Sequence, residues 1–327
     1  MIKKNRSEST VRINIWIKTI MALAMICTIA MAQENTPEYW IDKGQVLIGE
    51  QSLNESIIAF DNAIKIANSS QEQVAAWRGK AIALQEMGRF PEAIEANRMA
   101  IELNPLELDI WSTQGFLFAE LGRYNESIES YDMAIQTEPD KVSDWIGRGD
   151  ALDNTGRSDE AAKDYERSLE ILDETIQANS NDSNAWSSKG YVLNKLEMYS
   201  EALEAYDKAI DVAQPSKDYM AGISTSKAWT GKGIVLANMD KYDDALNAFD
   251  KAIEISPDYS VAMQSKGDVL MTMGMYEDAI AEYDRAIQID PMFPRIWYKK
   301  GLALKALDRS SDADAAIARA KEMGYTS

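Results

Sequence analysis

Catalysis needs groups that exchange protons, attack carbon or hold a metal, and this chain is short of all three. It has no histidine and a single cysteine, Cys27. Ser–His–Asp and Cys–His nucleophile systems and His-based metal sites are therefore excluded. No Gly-rich phosphate loop occurs. Asp153-Asn154-Thr155-Gly156 offers calcium-loop residue types, but the glycine falls early and the loop spacing is absent, so it reads as a turn. Met271, Met273 and Met275 could hold a soft metal, yet two of the three lie near an expected interhelical turn, where Met usually fills gaps. Acid pairs such as Asp243-Asp244 stand where a helix opens and its dipole favours them. Without a spacing suited to paired-carboxylate chemistry, the expectation is no enzyme, no cofactor and no metal.

What remains is chemistry of recognition, and it depends on the elements that would present it. From Trp229, Gly233 and Leu236 lie four and seven residues on, on one helical face. A turn follows at 239–241. Ala245, Phe249 and Ala252 then form a second stripe, which stops at Pro257. The frame recurs from Trp40, Trp77, Trp111, Trp145, Trp186, Met263 and Trp297. Its glycine place reads Gly44, Ala81, Gly115, Gly149, Gly190, Gly233, Gly267 and Gly301; its large place reads Phe60, Asn97, Tyr131, Tyr165, Tyr206, Phe249, Tyr283 and Ile317. One such hairpin cannot bury both stripes, so hairpins must stack.

The chain resembles the tetratricopeptide repeat family over about residues 37–321. It departs from the family pattern in two places: a cation often stands three residues after the Trp place, and Leu mostly occupies the position seven after it. The resemblance implies an all-α, right-handed solenoid of eight helix-turn-helix repeats over 37–327. Its concave groove would bind a peptide or a partner protein. Insertions near 69–73, 170–183 and 214–226 interrupt the period. The second runs on from helix B by seven residues, two turns that keep the stripe in phase, so one long helix is expected from about Asp159 to Gln177. The third reads as a short continuation of helix B followed by a loop. The alternative to a groove binder is a structural or assembly subunit of an envelope complex whose chemistry belongs to a partner.

If the stripe from Trp is buried, residues five and eight further on point toward the concave side. There stand Ile82, Phe116, Asp150, Tyr191, Ile234 and Asp268, with Asp153 and Asn194 at the later place. Arg78 and Tyr298, one residue after the Trp place, join them. This row is apolar and aromatic with carboxylates among it, and it predicts a ligand with apolar anchors and basic character near Asp150 and Asp153. The Lys, Arg and Asn grouping by which some family members hold a carboxylate tail is missing.

Residues 1–32 differ in kind. Lys3, Lys4, Arg6, Arg12 and Lys18 precede an apolar run, and Ala30-Met31-Ala32 offers a cleavage site. This reads as a secretory signal peptide; the rival is a membrane tether through residues 13–31, with Lys18 inside it. Either form carries the repeats out of the cytoplasm, beyond a linker at 33–36. The net charge of −19 repels phosphate backbones and argues against nucleic-acid binding.

Helix B carries an acid one residue after its large place. Pairing each acid with the cation of the next repeat gives Asp61–Lys80, Asp132–Arg148, Glu166–Lys189, Asp207–Lys232, Asp250–Lys266 and Asp284–Lys300. The one repeat with a cation there, Arg98, precedes the one with Gln114. An inter-repeat ladder of ion pairs is expected.

Overall fold

In the computed structural model, residues 36–107, 109–213 and 219–326 are described; the proposed leader lies outside them. They form an all-α solenoid of paired helices. In order these are α1 (Pro37–Gly49), α2 (Leu53–Ile66), α3 (Ser70–Glu86), α4 (Phe90–Leu103), α5 (Ile110–Glu120), α6 (Tyr124–Thr137), α7 (Val142–Asn154) and α8 (Ser158–Ala178). There follow α9 (Ser183–Lys195), α10 (Tyr199–Ala213), α11 (Tyr219–Asn238), α12 (Tyr242–Ile255), α13 (Ser260–Thr272), α14 (Tyr276–Ile289), α15 (Pro294–Ala306) and α16 (Ser310–Glu322). Odd-numbered helices are the A helices of the repeats, even-numbered ones the B helices. Two compact units divide the chain. The first ends at Leu84 and takes in Arg98–Pro105; the second holds Gln85–Asn97 and Leu106–Ser327.

α12 illustrates why the segments become helices. Asp243 and Asp244 occupy its first turn, where the dipole favours them. Ala245, Phe249 and Ala252 are wholly buried, a stripe spaced for one helical face. Removing a Phe side chain from water contributes about 1.5–3 kcal/mol. Ser256 takes the C-cap and Pro257 prevents continuation. The ring of Phe249 lies flat on Gly233 of α11, where a Cβ would stand 2.6 Å from it. The same ring-on-glycine contact joins Phe60 to Gly44 in the first unit, and Tyr131 to Gly115, Tyr165 to Gly149 and Tyr283 to Gly267 in the second. Where the small place of helix B is Ser, its hydroxyl donates to the carbonyl of that glycine: Ser56 to Gly44 at 2.9 Å and Ser127 to Gly115 at 2.8 Å.

The A–B turn always places the residue eleven after the Trp place in left-handed backbone. Gly88, Gly122, Gly156 and Gly274 hold it, and so do Gln51, Glu197, Asp240 and Asp308. Asp153-Asn154-Thr155-Gly156 is such a turn, with the Asn154 amide donating to Asp150 O at 2.7 Å. The Trp side chains of the described repeats are half-buried rather than the buried start of a stripe. The indoles of Trp145, Trp186 and Trp297 donate to the carbonyls of Pro139, Ser180 and Pro291, six residues upstream. Each thus ties the preceding connection to its A helix.

The long helix is α8, 21 residues from Ser158 to Ala178. The third insertion folds otherwise than expected. Its described part does not extend helix B but lengthens the next A helix, so that α11 begins ten residues ahead of Trp229.

Within the second unit the last repeat returns to the first turns. The Thr326 N–H donates to Leu121 O at 2.9 Å, and Arg295 donates to Ala119 O at 3.3 Å while facing Glu120 at 3.5 Å. Phe90 and Phe293 meet edge to face, centroids 5.6 Å apart. The unit is closed on itself by residues far apart in sequence.

Candidate functional site

The A helices of the second unit line a cavity of about 450 Å³. α5 contributes Phe116, α7 Ile146, Gly147 and Asp150, α9 Ser187 and Tyr191, and α11 Lys227, Gly231 and Ile234; Tyr131 and Tyr206 reach in from α6 and α10. Four residues of the sequence-derived row therefore meet here: Phe116, Asp150, Tyr191 and Ile234. Phe116 is 36% exposed, and Tyr191 and Ile234 are half-buried.

The carboxylates do not wait for a basic ligand. Asp150 accepts from Tyr165 Oη at 2.8 Å and Tyr191 Oη at 2.6 Å. Lys195 Nζ lies 3.2 Å from both Asp150 and Asp153. Burial would lower the Lys195 pKa, but the charges of Asp150 and Asp153 outweigh it and hold it above the ordinary value. The Tyr191 phenol is pushed well above its usual range, first by burial and then by Asp150. The expected basic anchor near Asp150 and Asp153 is thus replaced by an internal network, because the cation is supplied four residues after Tyr191 on the same helix.

The other predicted residues lie elsewhere. Asp268 borders a neighbouring cavity with Ile234, Asn238 and Tyr242, and is held by Tyr283 Oη at 2.8 Å and by Lys299. Asn194 is 8% exposed and accepts from Asn238 at 2.9 Å, bridging α9 and α11. Tyr298 packs against Tyr325, centroids 5.1 Å apart, in the closing contact of the unit. Arg78, half-buried, and Ile82, 40% exposed, belong to the first unit. The three methionines diverge: Met271 and Met273 pack on separate core clusters, and Met275 is 40% exposed.

Sequence reasoning missed the role of a second set of glycines, two residues after the Trp place: Gly147 and Gly231. The Tyr131 ring passes from Gly115 to Gly147, and that of Tyr206 from Gly190 to Gly231. A Cβ at Gly147 would stand 2.6 Å from Tyr131 Oη, and one at Gly231 would overlap the Tyr206 ring. Each glycine opens a gap through which a B-helix phenol reaches the concave face. The signal was readable: among the A helices only 79, 147 and 231 carry Gly there.

The ladder is present with one correction. Lys80–Asp61 is 2.7 Å in the first unit. In the second, Arg148–Asp132 is 2.5 Å, Lys232–Asp207 2.5 Å, Lys266–Asp250 2.7 Å and Lys300–Asp284 2.5 Å. Lys189 pairs with Asp173 instead of Glu166. Asp173 lies seven residues on, two turns along the extended α8, so it presents the same face beside α9. Arg148 and Lys266 each also hold an acid of their own repeat, Asp164 at 2.7 Å and Glu282 at 3.1 Å. Most ladder cations also lie over the Trp three residues earlier, as Arg148 does over Trp145 at 4.8 Å. Arg98 reaches Glu102.

Family models described as tetratricopeptide repeat match residues 78–141, 112–172, 162–218 and 226–259, and one described as TPR repeat matches 267–308. The chain is a tetratricopeptide-repeat protein, and its fold class is that of a protein-interaction scaffold. No curated protein matches it. Among solved structures it is similar to one titled "Crystal structure of MamA", at 22% identity over 54% of this chain and 93% of that one, with TM-score 0.39. A second, "Crystal structure of MamA protein", is 22% identical over 57% and 92%, with TM-score 0.37. Among the described residues no helix is long and apolar enough to cross a membrane.

Proposed function

We propose that this protein works outside the cytoplasm as a non-enzymatic scaffold, and that the cavity of its second unit binds an extended segment of a partner protein. The observation that carries the reading is the cavity itself. A concave space of about 450 Å³ is walled by Phe116, Ile146, Tyr191 and Ile234, none of which is fully covered by its own chain. Apolar side chains left open at the centre of a concavity are the usual anchors of recognition. Binding would cost little reorganisation, because ring-on-glycine contacts and the ladder fix the A helices before a partner arrives.

Export is supported by the basic-then-apolar leader at 1–32. A reporter enzyme active only outside the cytoplasm, fused after residue 326, should be active; activity confined to cytoplasmic reporters would refute export. The binding reading is tested by selecting random displayed peptides on the purified repeats. Selected peptides should lose binding at least tenfold to an Ile234→Arg variant that keeps its helical signal. Peptides that bind the variant equally well would place recognition elsewhere.

A further inference from the structure

The cavity has a polarity of its own, distinct from the acidic surface around it. Of its two charged lining residues, Asp150 is already neutralised by Lys195 at 3.2 Å. The other, Lys227, is exposed and forms no ion pair among the described residues. Three hydroxyls at the cavity also lack hydrogen-bond partners among the described residues. Ser187 Oγ is buried without a hydrogen bond; the residue is 2% exposed. Tyr131 and Tyr206 are 6% and 3% exposed, and their hydroxyl ends emerge at Gly147 and Gly231 with no acceptor among the described residues. Tyr165, Tyr191 and Tyr283, by contrast, all donate to aspartate. Burial above all raises the pKa of both unpartnered phenols, so both keep their protons.

A lysine only donates hydrogen bonds, and a protonated phenol or a serine donates readily. Buried donors without acceptors are costly in a folded protein. A ligand that supplies acceptors and one negative charge beside an apolar group would satisfy the buried Ser187 hydroxyl and at the same time complement Lys227 and the two phenols. We infer that the cavity takes a peptide segment bearing a bulky apolar residue next to an acidic one: the apolar side chain lies between Phe116 and Ile234, backbone carbonyls accept from Tyr131, Tyr206 and Ser187, and the carboxylate faces Lys227. This rests on the peptide-binding reading above and adds the chemistry of the ligand.

The test uses octapeptides blocked at both ends, with central Leu or Phe flanked by Glu, by Gln or by Lys, titrated against the full repeat region by fluorescence anisotropy. The Glu-flanked pool should bind at least tenfold more tightly than the Lys-flanked pool. Lys227→Glu, at an exposed position, should reverse that order. Tyr206→Phe keeps the ring on Gly190 and Gly231 and should weaken the Glu-flanked pool several-fold. Equal binding of the Glu and Lys pools, or an order that survives Lys227→Glu, overturns the inference. If none of these pools binds while displayed peptides still bind in an Ile234-dependent way, the ligand chemistry is wrong and the groove reading stands; if neither binds, both fall.

Discussion

Glu197 holds φ +59, in the turn position that Gly88, Gly122, Gly156 and Gly274 fill in other repeats. A side chain there crowds the backbone, at a cost of about 1 kcal/mol that glycine escapes. Glu197→Gly should therefore stabilise the protein by about 0.5–1 kcal/mol, seen as a higher midpoint in chemical unfolding; an unchanged or lower midpoint would show that the turn is relaxed with Glu. The glycines at 147 and 231 act in the opposite sense, because they admit a ring. Gly231→Ala should displace Tyr206 and lower the midpoint, whereas Gly156→Ala meets open space and should cost only its backbone conformation. A glycine that recurs among the repeats does not show by itself whether it serves a left-handed turn or makes room for an aromatic ring; the position of the neighbouring ring decides.

At the scale of the element, the extension of α8 replaces one ladder partner by another. Asp173 faces Lys189 while Glu166 is exposed. Asp173→Asn should lower stability by about 0.5 kcal/mol, the middle of the range for a part-exposed pair, and Glu166→Gln should leave it unchanged. Equal effects would contradict the assignment. A second check is a double-mutant cycle on Asp250→Asn and Lys266→Gln, where a coupling of about 0.5–1 kcal/mol is expected. Glu282, 3.1 Å from Lys266, would retain part of the ion pairing when Asp250 is lost. The ladder was legible in the sequence because each partner recurs at a fixed place. Its Glu166 rung was not, because the insertion moved the acid by two turns. The third insertion misled for a related reason: Tyr219, Met220 and Gly222 suit the end of one helix as well as the start of the next, and only packing decides.

At the scale of the molecule, the chain has no histidine, so stability should be nearly flat between about pH 6 and 9, where carboxylates and phenols do not ordinarily titrate. Tyr165 and Tyr191 are raised above their ordinary 10.0, chiefly by burial and then by Asp150. Lys195 is raised above 10.5. The folded chain then keeps protons that the unfolded chain releases, so their stabilising effect is complete below pH 10 and is lost as pH rises toward the folded values. The urea midpoint should fall as the pH rises above about 10; a rising midpoint would contradict the Asp150 network. The return of Thr326 and Arg295 to Leu121 and Ala119 could not be read from the sequence. No periodicity links residues that distant, and only the accumulated rotation of the repeats brings them together.

The central claim is that the concave cavity of the second unit is where a partner sits. It is tested most directly by placing a photoreactive benzoylphenylalanine at Phe116 or at Ile234 in cells, with the exposed Ile58 of the first unit as control. The account predicts a discrete protein adduct from both cavity positions and none from the control; adducts of equal yield at Ile58, or none from either cavity position, would contradict it.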